Sequence, residues 1–271
     1  MPKLTAFDIQ KMKGSENKIS MLTAYDFGLA SIFDEAKIDM LLVGDTMGMV
    51  FYGKPNTLEV TLDMTIMHCR AVAEGAKNHS LVVGDLPFLT FGVSIDKTVE
   101  NAGLVMKKGK AEAVKLEGAS DNRIEEIEAI IDAGIPVQGH IGLLPQSAFK
   151  TGGYKVQGKK GSFWDENDLI DSAKKLEKAG CFSLVLEAIP QTLSKKITEQ
   201  LKIPTIGIGA GIHCDGQVLV SYDMLGYLRG HKPKFVKQYA SLHGIILQAA
   251  KEYHKEVQKG TFPTIEYSYE D

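Results

Sequence analysis

The 271-residue sequence has no long hydrophobic run and no strong imbalance of charge. No apolar stretch approaches the ~20 residues that a helix needs to span a bilayer, and the opening MPKLTAFDIQ lacks the apolar core of a signal peptide. A net charge of -3 gives no reason to expect nucleic acid or an anionic membrane as a partner. We therefore expect a cytoplasmic protein that binds neither.

Cysteine is also scarce. The three cysteines, Cys69, Cys181 and Cys214, are odd in number and lack the paired spacing of metal-binding cysteines. The sequence therefore favours reduced structural thiols over a disulfide framework or a zinc site.

Five short hydrophobic segments are present, and each ends in a residue that can bind a metal or move a proton. They read MLLVGD at 40–45, LVVGD at 81–85, AVKLE at 113–117, PVQGH at 136–140 and SLVLE at 183–187. Helical patterns fill the intervals, which is typical of parallel strands joined by helices. A chain of this length fits a single (β/α)8 barrel, whose active site lies at the carboxyl ends of its strands. We predict one domain over residues 1–271.

The other predicted elements complete the barrel. Further strands are expected at 19–23, 204–209 and 217–222, a short helix at 4–13, and a final helix at 235–257 followed by a tail. Three helices are expected to carry apolar stripes, formed by Met64, Met67, Ala71 and Val72, by Val99, Ala102, Gly103 and Met106, and, facing inward on the last helix, by Leu242, Ile245, Ile246 and Ala249.

Two loops interrupt this pattern. A glycine-bearing loop is expected at 48–55. A longer loop, rich in glycine and lysine, is expected between His140 and about Asp165. A loop of that length is either a lid over the active face or a surface insertion, and the sequence does not separate the two.

Three carboxylates, Asp45, Asp85 and Glu117, lie at the ends of the predicted second, third and fourth strands. Oxygen ligands that leave room for water and substrate favour Mg2+. Each acid could instead cap the helix after its strand. Three at neighbouring strand ends favour the metal, because their charges would repel without a cation.

Three further groups could take part in chemistry. Lys115 lies on the same side of its strand as Glu117 and could bind either an acid or a substrate carboxylate. His140 is either a core histidine or a functional one. Glu187 is distant in sequence from the three acids, so it could act as a base instead of a ligand.

Six ordered motifs carry a resemblance to a known family. They are GDTMGMV at 44–50, GDLPF at 84–88, VKLEG at 114–118, GHIGLLPQ at 139–146, LVLEAIP at 184–190, and IGIGAG with CDGQVLV within 206–220. Their order and spacing resemble the ketopantoate hydroxymethyltransferase family. The resemblance implies a (β/α)8 barrel similar to those of phosphoenolpyruvate mutase and isocitrate lyase.

The resemblance also implies an activity. Enzymes of this family transfer a hydroxymethyl group from 5,10-methylenetetrahydrofolate to 3-methyl-2-oxobutanoate in pantothenate biosynthesis, with Mg2+ stabilising an enolate. They form homodecamers, so a homo-oligomer is expected here.

By the same resemblance, Asp45 and Asp85 ligate Mg2+ and contact the substrate, with Glu117 beside the metal. Thr46, Lys115 and His140 hold the substrate, and Glu187 is the base. The family commonly has serine at position 46, and threonine keeps the hydroxyl while adding a methyl group. Two other functions stay open: a Mg2+-dependent lyase or mutase acting on a related 2-oxo acid, and a non-catalytic barrel.

Overall fold

The computed structural model describes residues 3–230 and 232–270. The chain divides into two compact units, Met1–Val220 and Ser221–Asp271. The predicted strands and the predicted site all belong to the first unit, apart from the end of the strand expected at 217–222. A single domain over 1–271 stays a prediction.

Eight strands in the described part of the first unit form a closed parallel barrel, in the order β1 to β8 with β1 pairing β8. This confirms the predicted (β/α)8 barrel. The strands are β1 Ile19–Thr23, β2 Met40–Val43, β3 Leu81–Asp85, β4 Ala113–Glu117, β5 Val137–Gly142, β6 Ser183–Glu187, β7 Thr205–Ile208 and β8 Gly216–Leu219. The predicted extension of β8 to Tyr222 is wrong, because a helix begins at Ser221.

Helices of the first unit connect these strands. They are α1 Ala6–Lys11, α2 Phe27–Glu35, α3 Met47–Val50, α4 Leu62–Gly75, α5 Ile95–Lys107, α6 Asp121–Asp132, α7 Ala148–Thr151, α8 Glu166–Lys178 and α9 Gln191–Gln200. Side chains fix several helix starts: Asp26 accepts a hydrogen bond from the Leu29 amide, and Ser94 accepts one from the Lys97 amide. The loop predicted at 48–55 begins as helix instead, because the Met47 amide already bonds the Gly44 carbonyl.

The barrel interior is apolar at the amino ends of the strands. Ile19, Met40 and Leu81 belong to one buried cluster that also includes Ala6 and Ile9 of α1. The N-terminal helix therefore covers the bottom of the barrel, and the polar groups are left at the opposite mouth.

The apolar faces predicted for α4 and α5 are right at Val72 and Ala102, which are buried, but are otherwise displaced by about one residue. Met67 is 70% exposed, and the buried positions of α4 are Thr65, His68, Cys69, Val72 and Gly75. Those of α5 are Thr98, Asn101, Ala102 and Val105. Polar side chains with buried partners explain the shift: the Thr98 hydroxyl lies 2.7 Å from Glu126 Oε1, and the Asn101 amide donates to the Thr90 carbonyl. A stripe chosen by hydrophobicity alone misses such residues.

The second unit contains α10 Ser221–Met224 and α11 Leu242–Lys259. The last helix starts seven positions later than predicted, and none of its residues is buried. Ile245 is 64% exposed and Ile246 is 47% exposed, so the prediction that they face inward is wrong. Periodicity shows that a helix has an apolar stripe but does not show what covers it. No helix in the described residues is long and apolar enough to cross a membrane.

Candidate active site

The predicted functional residues meet at the carboxyl ends of the strands. Asp85 ends β3 and lies opposite Lys115 of β4, and Glu117 ends β4 and lies opposite His140 of β5. Glu187 ends β6. Asp45 and Thr46 follow β2 directly after Gly44. The closed barrel therefore brings residues from five strands to one mouth.

Short contacts join four of these side chains into a row from β3 to β6. Asp85 Oδ1 lies 2.8 Å from Lys115 Nζ, which lies 3.3 Å from His140 Nδ1. His140 Nε2 lies 3.1 Å from Glu187 Oε2. We name this series the Asp85–Glu187 row.

The contacts in this row indicate which ring nitrogen of His140 carries the proton. Burial lowers the pKa of His140 well below its ordinary value, and the positive charge of Lys115 lowers it further, so the ring is neutral. A lysine ammonium has only donors, so Nδ1 must accept from Lys115. The ring proton then lies on Nε2, which is buried and donates no hydrogen bond to the described residues. His140 thus packs against the Glu187 carboxylate at 3.1 Å.

The backbone around Glu187 is also fixed. The Leu143 amide donates to the Glu187 carbonyl at 2.8 Å, and a Cβ at Gly142 would lie 2.1 Å from that oxygen, so only glycine fits there. Ala188 has a φ of 48°, a left-handed conformation that costs a non-glycine residue about 1–3 kcal/mol. Such strain next to a candidate base is typical of functional sites.

The three acids at the mouth carry unfavourable charge. Burial raises the pKa of Asp45 from 3.8 to about 7, and the charge of Asp85 adds to this effect. Burial and Asp45 likewise raise the pKa of Glu117 well above its ordinary value. Burial alone would lower the pKa of Lys115, but Asp85, Glu117 and Asp45 raise it instead. Lys115 is therefore charged, and the acids still lack full compensation.

The oxygen atoms of this cluster fit a hard cation. Asp45 Oδ2 and Glu117 Oε1 are buried and accept no hydrogen bond from the described residues. Such orphaned oxygens are costly unless a cation or a proton joins them. Within residues 3–230 and 232–270, however, no three His, Cys, Asp or Glu side chains are arranged as a ready metal cluster. The donor types fit Mg2+, and the ligand set Asp45, Asp85 and Glu117 stays a prediction.

The raised pKa values predict how stability depends on pH. Asp45 and Glu117 bind protons more tightly in the folded than in the unfolded chain. The metal-free protein should therefore lose stability as pH rises from about 4.5 to about 7, with each acid contributing at most about 1.4 kcal/mol for every pH unit crossed. Calorimetric melting temperatures of chelated protein across this range test the sign. Asp45→Asn should flatten the curve, and a stability that rises with pH would contradict the assignment.

Several residues of the site were not predicted from the sequence. The Tyr25 and Thr46 hydroxyls share a hydrogen bond of 2.8 Å, so Tyr25 orients the Thr46 hydroxyl, which is a predicted substrate-binding group. The Gln146 amide donates to Glu117 Oε2, and its side chain donates to the Leu86 carbonyl. The side chains of Thr57 and Gln146 lie near Asp45 and lower its pKa, which favours its charged form. Gln146 could have been found, since it ends the GHIGLLPQ motif, whereas Tyr25 and Thr57 carry no local signal.

The long loop after β5 covers the mouth. The Tyr154 hydroxyl lies 4.0 Å from the Met49 sulfur, so a residue that follows β5 reaches one that follows β2. Strands β3 and β4, which carry Asp85 and Glu117, lie between them. Burial raises the pKa of Tyr154, and the charges of Asp45, Glu117 and Glu187 raise it further. Gln157 is 2% exposed, which favours a lid over a surface insertion.

Comparison with known proteins agrees with this geometry. A family model described as ketopantoate hydroxymethyltransferase matches residues 3–265. A relative from Geobacter metallireducens, named 3-methyl-2-oxobutanoate hydroxymethyltransferase, is 51% identical over 267 residues, or 98% of each chain. A relative of the same name from Syntrophomonas wolfei is 48% identical over 269 residues, which cover 99% of this chain and 96% of its own.

Solved structures support the fold. A 2,3-dimethylmalate lyase, described as a member of the PEP mutase/isocitrate lyase superfamily, aligns over 99% of this chain and 93% of its own. Its TM-score is 0.60 at 13% identity, so the likeness concerns the barrel alone. This confirms the predicted similarity to those barrels. Because the family model and the relatives each match nearly the whole length, the chain belongs to the ketopantoate hydroxymethyltransferase family.

Proposed function

We propose that this chain transfers a hydroxymethyl group from 5,10-methylenetetrahydrofolate to 3-methyl-2-oxobutanoate in pantothenate biosynthesis. The products are 2-dehydropantoate and tetrahydrofolate, and one water supplies the hydroxyl oxygen. The relatives' names support this activity. The observation that carries it is the Asp85–Glu187 row, which places an ammonium group and a candidate base beside two further acids.

The substrate is a small anion, and the mouth offers groups that suit it. The charged Lys115 can attract the substrate carboxylate, and the Thr46 hydroxyl, held by Tyr25, can donate a hydrogen bond to it. His140 lies against Lys115 and completes this side of the site. The extra methyl of Thr46 leaves the shared hydroxyl in place.

Asp45, Asp85 and Glu117 would hold Mg2+. When bound, the cation supplies positive charge that polarises the keto group of a 2-oxo acid and stabilises an enolate. Binding of the cation would also compensate the charge of Asp85, which adds to burial in raising the pKa of Asp45.

Glu187 is the proposed general base. Burial raises its pKa from 4.5 to about 7, which suits a group that must accept a proton near neutral pH. Its carboxylate takes the C3 proton of the substrate, and the electron pair of the C–H bond enters the enolate. The C3 carbon then forms a bond to the methylene carbon of the donor as one of its two bonds to folate nitrogens breaks. Water replaces the second nitrogen and supplies the hydroxyl, and the two folate nitrogens receive one proton from water and the one taken by Glu187.

One assay tests the function. The chain is incubated with 3-methyl-2-oxobutanoate, with and without methylenetetrahydrofolate and Mg2+, and 2-dehydropantoate is measured. We expect product only when all three are present. Turnover of a 2-oxo acid without folate would instead support a Mg2+-dependent lyase or mutase, and binding without turnover would support a non-catalytic barrel.

The proposal extends to location and assembly. We propose a cytoplasmic homo-oligomer, a decamer by family resemblance, that uses small molecules and neither membrane nor nucleic acid. The exposed apolar residues of α11, among them Ile245 and Ile246, support self-association because burial of such side chains favours it. Sedimentation analysis would measure the oligomer.

A further inference from the structure

A groove of about 310 Å³ lies between the loops that follow β2 and β5. It is lined mainly by apolar groups, including Pro55, Leu58, Pro145, Ala148 and Phe149. No role has yet been assigned to it, and its walls come from the two loops whose tips meet above the acids.

Three residues connect the groove to the acid cluster. Asn56 lines the groove, and the next residue, Thr57, is fully buried and close enough to Asp45 to lower its pKa. Pro145 lines it, and the next residue, Gln146, donates its amide hydrogen to Glu117 Oε2 at 3.2 Å. Tyr154 itself lines the groove, and it is close enough to Asp45, Glu117 and Glu187 for their charges to raise its pKa. The groove therefore opens beside the reacting end of the substrate.

A second cavity, of about 410 Å³, fits this role less well. Its lining includes Ile141 of β5 and Ser172 of α8. Side chains alternate along a strand, so Ile141 faces away from the barrel interior toward which the neighbouring His140 points. This cavity lies mainly on the helix side of the barrel wall, and although Glu117 lines it, Asp45 and Asp85 do not.

We propose that the groove between residues 55–58 and 145–154 binds the flat ring system of the one-carbon donor, a reduced pterin with its attached aminobenzoyl group. This inference rests on the proposed function. Ligand pockets in proteins span ~300–1,000 Å³, so the groove has room for part of such a molecule, and its charged tail stays outside. The apolar walls and the rings of Phe149 and Tyr154 suit an aromatic ligand.

Binding in this groove would bring the donor to one side of the substrate and leave the other side to the base. A ligand held in this groove presents its methylene group to the cluster from the side of Thr57 and Gln146. Glu187 reaches the substrate from β6 instead. The base and the carbon donor thus approach from different loops, and neither displaces the other.

Filling the groove tests the inference. Ala148→Trp should raise both the KM for methylenetetrahydrofolate and the Kd for tetrahydrofolate by about tenfold or more, because a steric block of one pocket typically costs at least this much. Exchange of the C3 hydrogen of 3-methyl-2-oxobutanoate into deuterated water needs no folate and should continue. Phe149 is 80% exposed, so Phe149→Ala should fold and weaken tetrahydrofolate binding by a smaller factor.

Ser172→Trp is the matched control, because it fills the second cavity with the same side chain. Folate binding should not change in this variant. Tetrahydrofolate affinity that stays normal in both Ala148→Trp and Phe149→Ala, or that falls only in Ser172→Trp, would overturn the inference. Failure of the proposed function looks different, because the wild type itself would then show no folate-dependent turnover.

Discussion

Glu187→Gln is expected to slow exchange of the C3 hydrogen of 3-methyl-2-oxobutanoate by ~100- to 10,000-fold, the usual cost of losing a general base. The amide has nearly the shape of the carboxylate, but it cannot accept the proton. Exchange into deuterated water, followed by NMR with Mg2+ and without folate, isolates this step from the transfer to the donor.

The structure explains why this residue is the proposed base. Glu187 lies 3.1 Å from His140 Nε2 and its side chain is 19% exposed, so its carboxylate packs against the ring yet is open to the mouth. Its pKa of about 7 predicts that wild-type exchange falls as pH drops below about 7, because the protonated acid cannot act as a base.

Two controls accompany this variant. Glu187→Gln should still bind substrate and metal in titration calorimetry. Glu112→Gln changes an acid at the amino end of β4, where it accepts from the Val82 amide, and should keep the wild-type rate. Exchange that persists in Glu187→Gln would move the base elsewhere, with His140 as the next candidate.

Asp45→Asn is expected to abolish Mg2+-dependent turnover while the protein stays folded. Asp45 Oδ2 has no hydrogen-bond donor among the described residues, and its pKa of about 7 shows that burial and Asp85 disfavour its charge. Removing the charge therefore relieves repulsion in the metal-free protein but removes a proposed ligand. Asp85→Asn should also lose turnover, although it leaves Lys115 without its partner at 2.8 Å.

Metal binding and melting temperature separate these effects. We expect Asp45→Asn to show a weaker Mg2+ affinity in calorimetry and a melting temperature, measured without metal, at or above that of the wild type. Asp215→Asn is the control, since Asp215 is a buried acid paired with Lys13 at the amino ends of the strands. It should lose stability but keep its metal dependence. Full activity of Asp45→Asn, or of exhaustively chelated wild type, would remove the metal from the mechanism.

Much of the fold could be predicted from the sequence, because its signals are local. Each strand is a short apolar run, and β1, β3 and β4 have the bounds that the pattern predicts. The predicted helix faces were wrong where a hydrogen-bond partner elsewhere in the chain determines whether a polar side chain is buried. Thr98 and Asn101 are buried because Glu126 and the Thr90 carbonyl bond them, and no count of apolar residues along α5 reveals this.

The candidate site also has features that the sequence determines and others that depend on the tertiary structure. The sequence by itself determined which groups stand at the strand ends, since alternation and strand length place Lys115, Glu117 and Glu187 toward one mouth. Only the tertiary structure decided that Lys115 pairs with Asp85 and that His140 Nε2 lies 3.1 Å from Glu187. It also decided that Tyr154 reaches Met49 across the acids. These contacts join residues from different strands, and their distances follow from barrel closure, which no local pattern encodes.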